Sequence, residues 1–456
     1  AKARQEELRR QAERERLSRA DPSRALGGRT RLRVVIVGGG FGGLACARAL
    51  DGEPVDVLLI DRENYHLFTP LLYQVATALL NPSDIAYPIR KVFRRSPNVR
   101  FRQAVVTEVD FGAKVVGLHD GAEVRYDGLV LATGSTNNYF GNPALAHHTI
   151  GMKQLGAAMR LRNHVLSCLE MASHTTDPHD RRAWLTFVVA GGGPTGVEYA
   201  GALGELLRLV VGRDYPELSL EACRIVLVEG MDRLLSQFPK SLGEYARRTL
   251  ARRGVDVLVS RTLESAEGGV VRLSSGEKIS CRTVVWSAGV RPTDPLEGAT
   301  LRRTPTGRLQ VDEHLRVPGV RGVFAIGDAA SVPWKGNELP MLSPPAMQEG
   351  RHVARLIRDE AVRDGAADWP KLVWVLDNHV ETRPLPIATC PMPPLKPSNP
   401  GSAPEGRSAS CENRLRALKR RTSPSAPLHS NLASVRLPRG SNSASRARSS
   451  AGSGSE

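Results

Sequence analysis

Cysteine is scarce in this chain: six among 456 residues, at positions 46, 168, 223, 281, 390 and 411, with no two spaced as CxxC or CxxxxC. No close thiol pair is present to shuttle electrons by opening and closing a disulfide, and the scatter suits inert thiols in a reducing compartment. No Cys/His cluster has zinc or iron–sulfur spacing, so no metal is expected. Long apolar runs are missing as well. No stretch of eighteen apolar residues occurs, so no bilayer-spanning helix is expected, and neither is a secretory signal peptide.

Acid is short relative to base, 47 Asp and Glu against 63 Lys and Arg, which leaves a net charge of +16. Such an excess suggests a polyanionic partner only if it sits on the folded body. It does not. Residues 1–33 carry eleven basic and five acidic residues, residues 371–456 carry thirteen and five, and the body between them carries 39 and 37. No nucleic-acid partner is therefore expected. Within the charged arm 1–33, residues 1–20 mix both charges at helical spacing without an apolar stripe, which reads as a solvated or frayed helix. The tail 371–456 is atypical and basic. From about Pro391 it is so rich in Pro, Ser, Gly and Arg that it cannot bury enough apolar surface to order, and 391–456 is expected to be disordered.

The informative residues are glycines. In VVIVGGGFGGLACARAL (34–50), an apolar β-branched run ends in Gly38, Gly40 and Gly43, and a helix of small and apolar residues follows. Gly38 allows a sharp turn off the strand, Gly40 lets backbone approach phosphate oxygens, and Gly43 lets helix and strand pack closely, with the helix N-terminus facing the anion. A second strand, VDVLLID, ends at Asp61, where a carboxylate suits a ribose diol. FVVAGGGPTGVEYAGAL (187–203) repeats the grammar with Gly191, Gly193 and Gly196, and the strand RIVLVE ends at Glu229. The second gap from glycine to acid exceeds the usual ~20 residues, which a longer helix and the loop GRDYPELSLEA accommodate. Two complete loops imply two nucleotides. An acid at both strand ends favours NADH over NADPH.

LVLATGS (129–135), VVWSAGVRP (284–292) and GVFAIGDAA (322–330) add three apolar strands, each ending in a turn of small residues. Together these segments resemble the pyridine nucleotide-disulfide oxidoreductase superfamily. The resemblance implies an α/β protein with two Rossmann-like dinucleotide-binding domains, the second inserted in the first; the disordered ends are expected from composition. It divides the chain into FAD-binding parts at 34–150 and 291–370 and an NADH-binding domain at 151–290. It places FAD at Gly38, Gly40, Phe41, Gly42, Gly43, Asp61, Arg62, His66, Thr133, Gly134, Gly327 and Asp328. NADH would lie at Gly191, Gly193, Pro194, Thr195, Gly196, Glu229 and Gly289. The disulfide-reducing branch is excluded by the missing cysteine pair.

RENYHLFTPLLYQVATALLNPSDIAYPIR (62–90), AGGGPTGVEYAGAL with Glu198, GDAASVPW and LPMLSPPAMQEG (339–350) narrow the resemblance to type II NADH dehydrogenases. That family implies hydride transfer from NADH to FAD and passage of two electrons to a membrane quinone, without proton pumping. Glu198 and Gln348 would act at the site. The enzyme would work at the cytoplasmic face of the cell membrane as a peripheral protein, or in the cytoplasm without an anchor, and a homodimer is left open. Two departures stand out. Pro344 occupies the place of the first of two family glutamines, and the amphipathic helices that follow in the family have no counterpart after Pro370. Two other readings stay open at this point: a ferredoxin- or rubredoxin-type NAD(P)H reductase, and a non-catalytic NADH-binding flavoprotein.

Overall fold

A computed structural model describes residues 31–293, 301–334 and 336–362. Nearly all of the charged arm and the whole basic tail lie outside the described residues, and so does the expectation of disorder placed on them. The apolar run predicted from Val34 forms strand β1, Leu32–Val37, which starts two residues earlier. Val34–Val37 are at most 6 % exposed, so β1 is covered on both faces as a parallel-sheet strand must be. The chain continues through helix α1 (Phe41–Ala49) and strands β2 (Val55–Asp61), β3 (Val99–Gln103) and β4 (Gly128–Leu131). It then builds β5 (Ile150–Gly151), helix α2 (Leu155–His174), β6 (Thr186–Ala190), helix α3 (Pro194–Val210), β7 (Arg224–Val228), β8 (Val255–Leu258) and β9 (Thr283–Trp286). Strand β10 (Val323–Ala325) and helix α4 (Ser343–Val362) close the described chain.

Two five-stranded parallel sheets result, ordered β10-β4-β1-β2-β3 and β5-β9-β6-β7-β8. In both, the chain leaves a central strand through a helix to one neighbour and later returns on the other side. The glycine loops after β1 and β6 therefore sit at topological switch points, where a crevice opens at the carboxyl ends of the strands. The duplication extends further than the loops. A three-stranded antiparallel meander lies between β3 and β4 (Val106–Asp110, Val115–Leu118, Glu123–Arg125), and a second lies between β8 and β9 (Leu263–Glu267, Val270–Leu273, Lys278–Ser280).

The second sheet is an insertion. Outbound strand Ser135–Asn137 pairs antiparallel with returning strand Val290–Pro292, so both crossings run side by side. Thr133 ties them further, its hydroxyl donating to the Thr293 carbonyl at 2.7 Å. After the return, β10 adds to the first sheet beside β4, and α4 packs along α1. The packing is close: a Cβ on Gly350 of α4 would lie 2.2 Å from the Gly42 carbonyl oxygen of α1.

Candidate active site

Both loops are built alike. Gly38 has φ +108° and Gly191 has φ +104°, left-handed values that side chains rarely adopt. A Cβ on Gly43 would meet the Gly38 carbonyl oxygen at 1.9 Å, and one on Gly196 would meet the Gly191 oxygen at 1.8 Å. At the middle position the opposite holds. A Cβ on Gly40 or Gly193 has nothing within 4 Å, so each loop is closed toward its own strand and open on its outer side. Each middle glycine is also the N-cap of its helix, and neither helix has a side-chain cap. The first-turn N–H groups are thus left to an incoming anion.

The acids at the strand ends also match. Asp61 accepts the Gly39 N–H at 2.5 Å and the Glu63 N–H at 2.8 Å. Glu229 accepts the Gly192 N–H at 2.5 Å and the Met231 N–H at 2.7 Å. A carboxylate offers about four lone-pair directions, so each can also receive a ribose hydroxyl. Burial raises the Asp61 pKa, against the opposing pull of the two N–H groups and Arg62.

A cleft of about 540 Å³ collects most of the remaining residues, within the size range of cofactor sites. Gly38, Gly40, Phe41, Gly42, Asp61, Arg62, Thr133, Gly134, Gly327 and Asp328 line it from the first domain, and Pro194, Thr195 and Glu198 line it from α3. The first loop and the first turn of α3 therefore meet at one space. Glu198 faces the open cleft and is reached by solvent there, yet the surrounding protein pushes its carboxyl up to about 7. The room beside Gly40, the uncapped α1 amides and the free acceptor capacity of Asp61 fit a pyrophosphate and its ribose.

Some predicted residues lie elsewhere. His66 stands behind the first loop, donating from Nδ1 to the Gly39 carbonyl at 3.0 Å with its ring edge-on to Phe41; burial lowers its pKa. Gly289 faces Phe140, not the cleft. Gly191, Gly193, Gly196 and Glu229 form the second loop away from the lining. Gln348 is half-buried on α4, outside the lining: successive helical residues are turned by about 100°, and the inward face carries Ala346, Glu349 and Gly350.

Three side chains not singled out from the sequence complete the floor. Asp328 accepts from the Ser135 hydroxyl, and Lys153 of the inserted domain brings its ammonium to 3.7 Å. Glu349 is 1 % exposed and accepts the Gly327 N–H, holding the Gly327–Ala329 turn that carries Asp328. Burial pushes its carboxyl up to about 7, opposed by that N–H and by Arg308 and reinforced by the Asp328 charge. The cysteines of the described chain are buried or half-buried and unpaired. Burial raises every one, Cys46 and Cys281 to about 12, and none lines the cleft.

Residues 32–350 match the model of the pyridine nucleotide-disulphide oxidoreductase family. The type II NADH:quinone oxidoreductase Ndh of Mycobacterium tuberculosis is 36 % identical over 341 residues, covering 72 % of this chain and 73 % of the relative. NdhA of the same organism is 37 % identical over 357 residues, covering 75 % and 74 %. NDH2 of Plasmodium falciparum, solved in complex with NADH, superposes with a TM-score of 0.70 at 20 % identity, covering 75 % of this chain and 86 % of that one. The chain belongs to the pyridine nucleotide-disulphide oxidoreductase family, in its type II NADH:quinone oxidoreductase branch.

Proposed function

We propose that the chain oxidises NADH with a membrane quinone, using FAD at the Gly38–Gly43 loop and NADH at the Gly191–Gly196 loop. One observation carries the reading: the first turn of α3 lines the cleft framed by the first loop, so the two nucleotide sites share a wall. FAD held there would supply the redox chemistry, a hydride acceptor toward NADH and a two-electron donor toward quinone.

The chain's own residues position, orient and manage a proton. The N-terminal amides of α1 would hold the FAD pyrophosphate and Asp61 its ribose, while Asp328, held by Ser135 and Lys153 in the cleft lining, would receive the ribityl chain. The amides of α3 and Glu229 hold NADH in the same way, and the charge of Glu229 repels a 2′-phosphate. NADH, quinone and one solvent proton give NAD and quinol, so a group that carries a proton near neutrality is useful beside the cleft. Glu198, at about 7, is protonated about half the time at that pH. Leu67, Pro70, Met341 and Leu342 give the cleft an apolar wall suited to a quinone ring.

The test is spectroscopic and kinetic. Purified protein is expected to be yellow, to bleach anaerobically with NADH, and to oxidise NADH faster when a water-soluble quinone is added. A folded protein that cannot be reconstituted with FAD, or one whose NADH oxidation ignores quinone, refutes the assignment.

A further inference from the structure

One carboxyl of α4 is buried with no ion-pair partner among the described residues. Glu349 is 1 % exposed and accepts the Gly327 N–H. A glutamine would accept that N–H equally well, so the hydrogen bond alone does not account for an acid, whose ionised form is costly to bury. Arg308, the cation whose charge reaches it, is already engaged, with Glu338 at 3.3 Å and with the Leu339 carbonyl at 2.7 Å.

Glu349 stands directly behind the cleft wall. Ala346, one turn earlier on α4, lines the cleft, as do Gly327 and Asp328 on the other side of the hydrogen bond. Few charged or titratable groups face it. The turn brings Asp328, met by Lys153, and the chain before strand Leu309–Gln310 brings Arg308. Helix α1 brings the buried Cys46 thiol, pushed up to about 12 and so neutral, while Arg48 of α1 is exposed. On α4 itself His352 is 2 % exposed one turn on, and burial, helped by Arg355 and His314, lowers it to about 4, so it too is neutral. His314 belongs to the segment beside β10, where the Ala325 N–H meets the Leu315 carbonyl at 3.1 Å. Arg308 Nε, His352 Nε2 and His314 Nδ1 are buried without a hydrogen-bond partner among the described residues. Three such atoms in one neighbourhood give the carboxyl a polar surround through which a proton can exchange.

We propose that Glu349 takes up the proton that balances the charge delivered to the cleft with the hydride. The inference rests on the FAD assignment above. When the nicotinamide C4–H bond breaks, its hydrogen leaves with the electron pair, and the departing NAD leaves one added negative charge in the cleft. That charge lies across the wall formed by Gly327 and Ala346, where little water screens it from the carboxylate behind. A solvent proton then forms an O–H bond on Glu349, which remains hydrogen-bonded to Gly327 through its other lone pairs. When the electron pair passes on, the O–H bond breaks and the proton returns to solvent, and formation of the quinol consumes one. Glu349 is neither oxidised nor reduced, and it acts on the cleft through its charge alone.

The experiment counts protons. The full chain loaded with FAD is reduced electrochemically at about pH 7.5, without NADH or quinone, beside a pH-indicator dye. Glu349 starts at about 7. If the added charge raises it to about 8, its protonated fraction climbs from roughly one quarter to three quarters, an uptake of about half a proton per FAD. Glu349→Gln should lose that share. Glu198→Gln should lose a separate share, and the double variant both. A second readout leaves Glu349 untouched: in Glu198→Gln protein, the reduced-minus-oxidised infrared spectrum should gain a carboxylic-acid C=O band. The proposal is overturned if Glu349→Gln takes up as many protons as the parent, or if that band fails to appear. A parent protein that holds no FAD overturns the proposed function and this inference with it, whereas one that holds FAD but ignores quinone overturns only the former.

Discussion

Gly40 and Gly43 lie three residues apart in one loop, and the same substitution should break two different things. At Gly40 the backbone is extended (φ −69°, ψ −165°) and a Cβ meets nothing within 4 Å, so Gly40→Ala folds without a clash. Its effect on stability is expected to stay within about 1 kcal/mol, because the poorer N-cap is offset by the lower entropy of the unfolded chain. The methyl, however, occupies the open side of the anion loop. Losing one charge-assisted hydrogen bond costs about 1.5–3 kcal/mol, which is roughly a 10- to 150-fold weaker FAD affinity. At Gly43 the Cβ would sit 1.9 Å from the Gly38 carbonyl oxygen and 3.2 Å from the Ala132 Cβ, so strand and helix must separate. Overpacking of this kind costs about 1–3 kcal/mol, or a Tm lower by about 2–12 °C for a domain of this size. The assay pairs thermal melting of the FAD-free protein with FAD titration by flavin fluorescence. A Gly40→Ala protein with wild-type FAD affinity, or a Gly43→Ala protein with wild-type Tm, refutes the assignment of these roles.

Glu229→Ala should narrow the preference for NADH over NADPH by about 5- to 150-fold, the equivalent of 1–3 kcal/mol; equal kcat/KM for both donors in the parent protein contradicts the reading. Glu198 changes charge near pH 7, so the kcat–pH profile should inflect there, and Glu198→Gln should flatten it. Glu349 has its folded pKa raised from 4.5 to about 7, so its stabilising contribution is complete below pH 4.5 and is lost as pH rises through 7. The resulting drop, on the order of 1–3 kcal/mol, should appear as a falling Tm between pH 5 and 8 that Glu349→Gln reduces.

The parts of this protein that could be read from sequence are those whose physics is local. A β-branched run, three glycines and a terminal acid are contiguous, and each constrains the next, so both loops and strand ends were visible in the residues themselves. The contacts that hold the floor of the cleft were not. Asp328 could be read from GVFAIGDAA, but Ser135 and Asp328 are 193 positions apart, and Lys153 reaches Asp328 from the inserted domain. Pairings this distant leave no local pattern. The stretch around Gln348 drew attention to the right helix, yet the rotation of that helix turns Glu349 and Ala346 inward. His66 stood in a recognisable segment, but its hydrogen bond goes to the back of the loop. The paired meanders went unnoticed because their short, half-exposed strands have little periodicity of their own.

The duplicated loops are not equivalent, and the difference lies in what covers them. Around the first, the returning chain adds β10, the Gly327–Ala329 turn and α4. A Cβ on Gly42 would lie 3.2 Å from the Ala346 carbonyl oxygen, and Glu349 ties α4 to the turn bearing Asp328. A nucleotide held there would also meet Ile326, Gly327, Asp328 and Ala346, all contributed after the insertion. The second loop's helix contributes Pro194, Thr195 and Glu198, exposed on the same open cleft. The added contacts from the returning segment suit a cofactor that stays through many turnovers. Inserting one copy of the fold into the other supplies them directly, because the interrupted domain resumes after the insertion and lays its last elements beside its own loop.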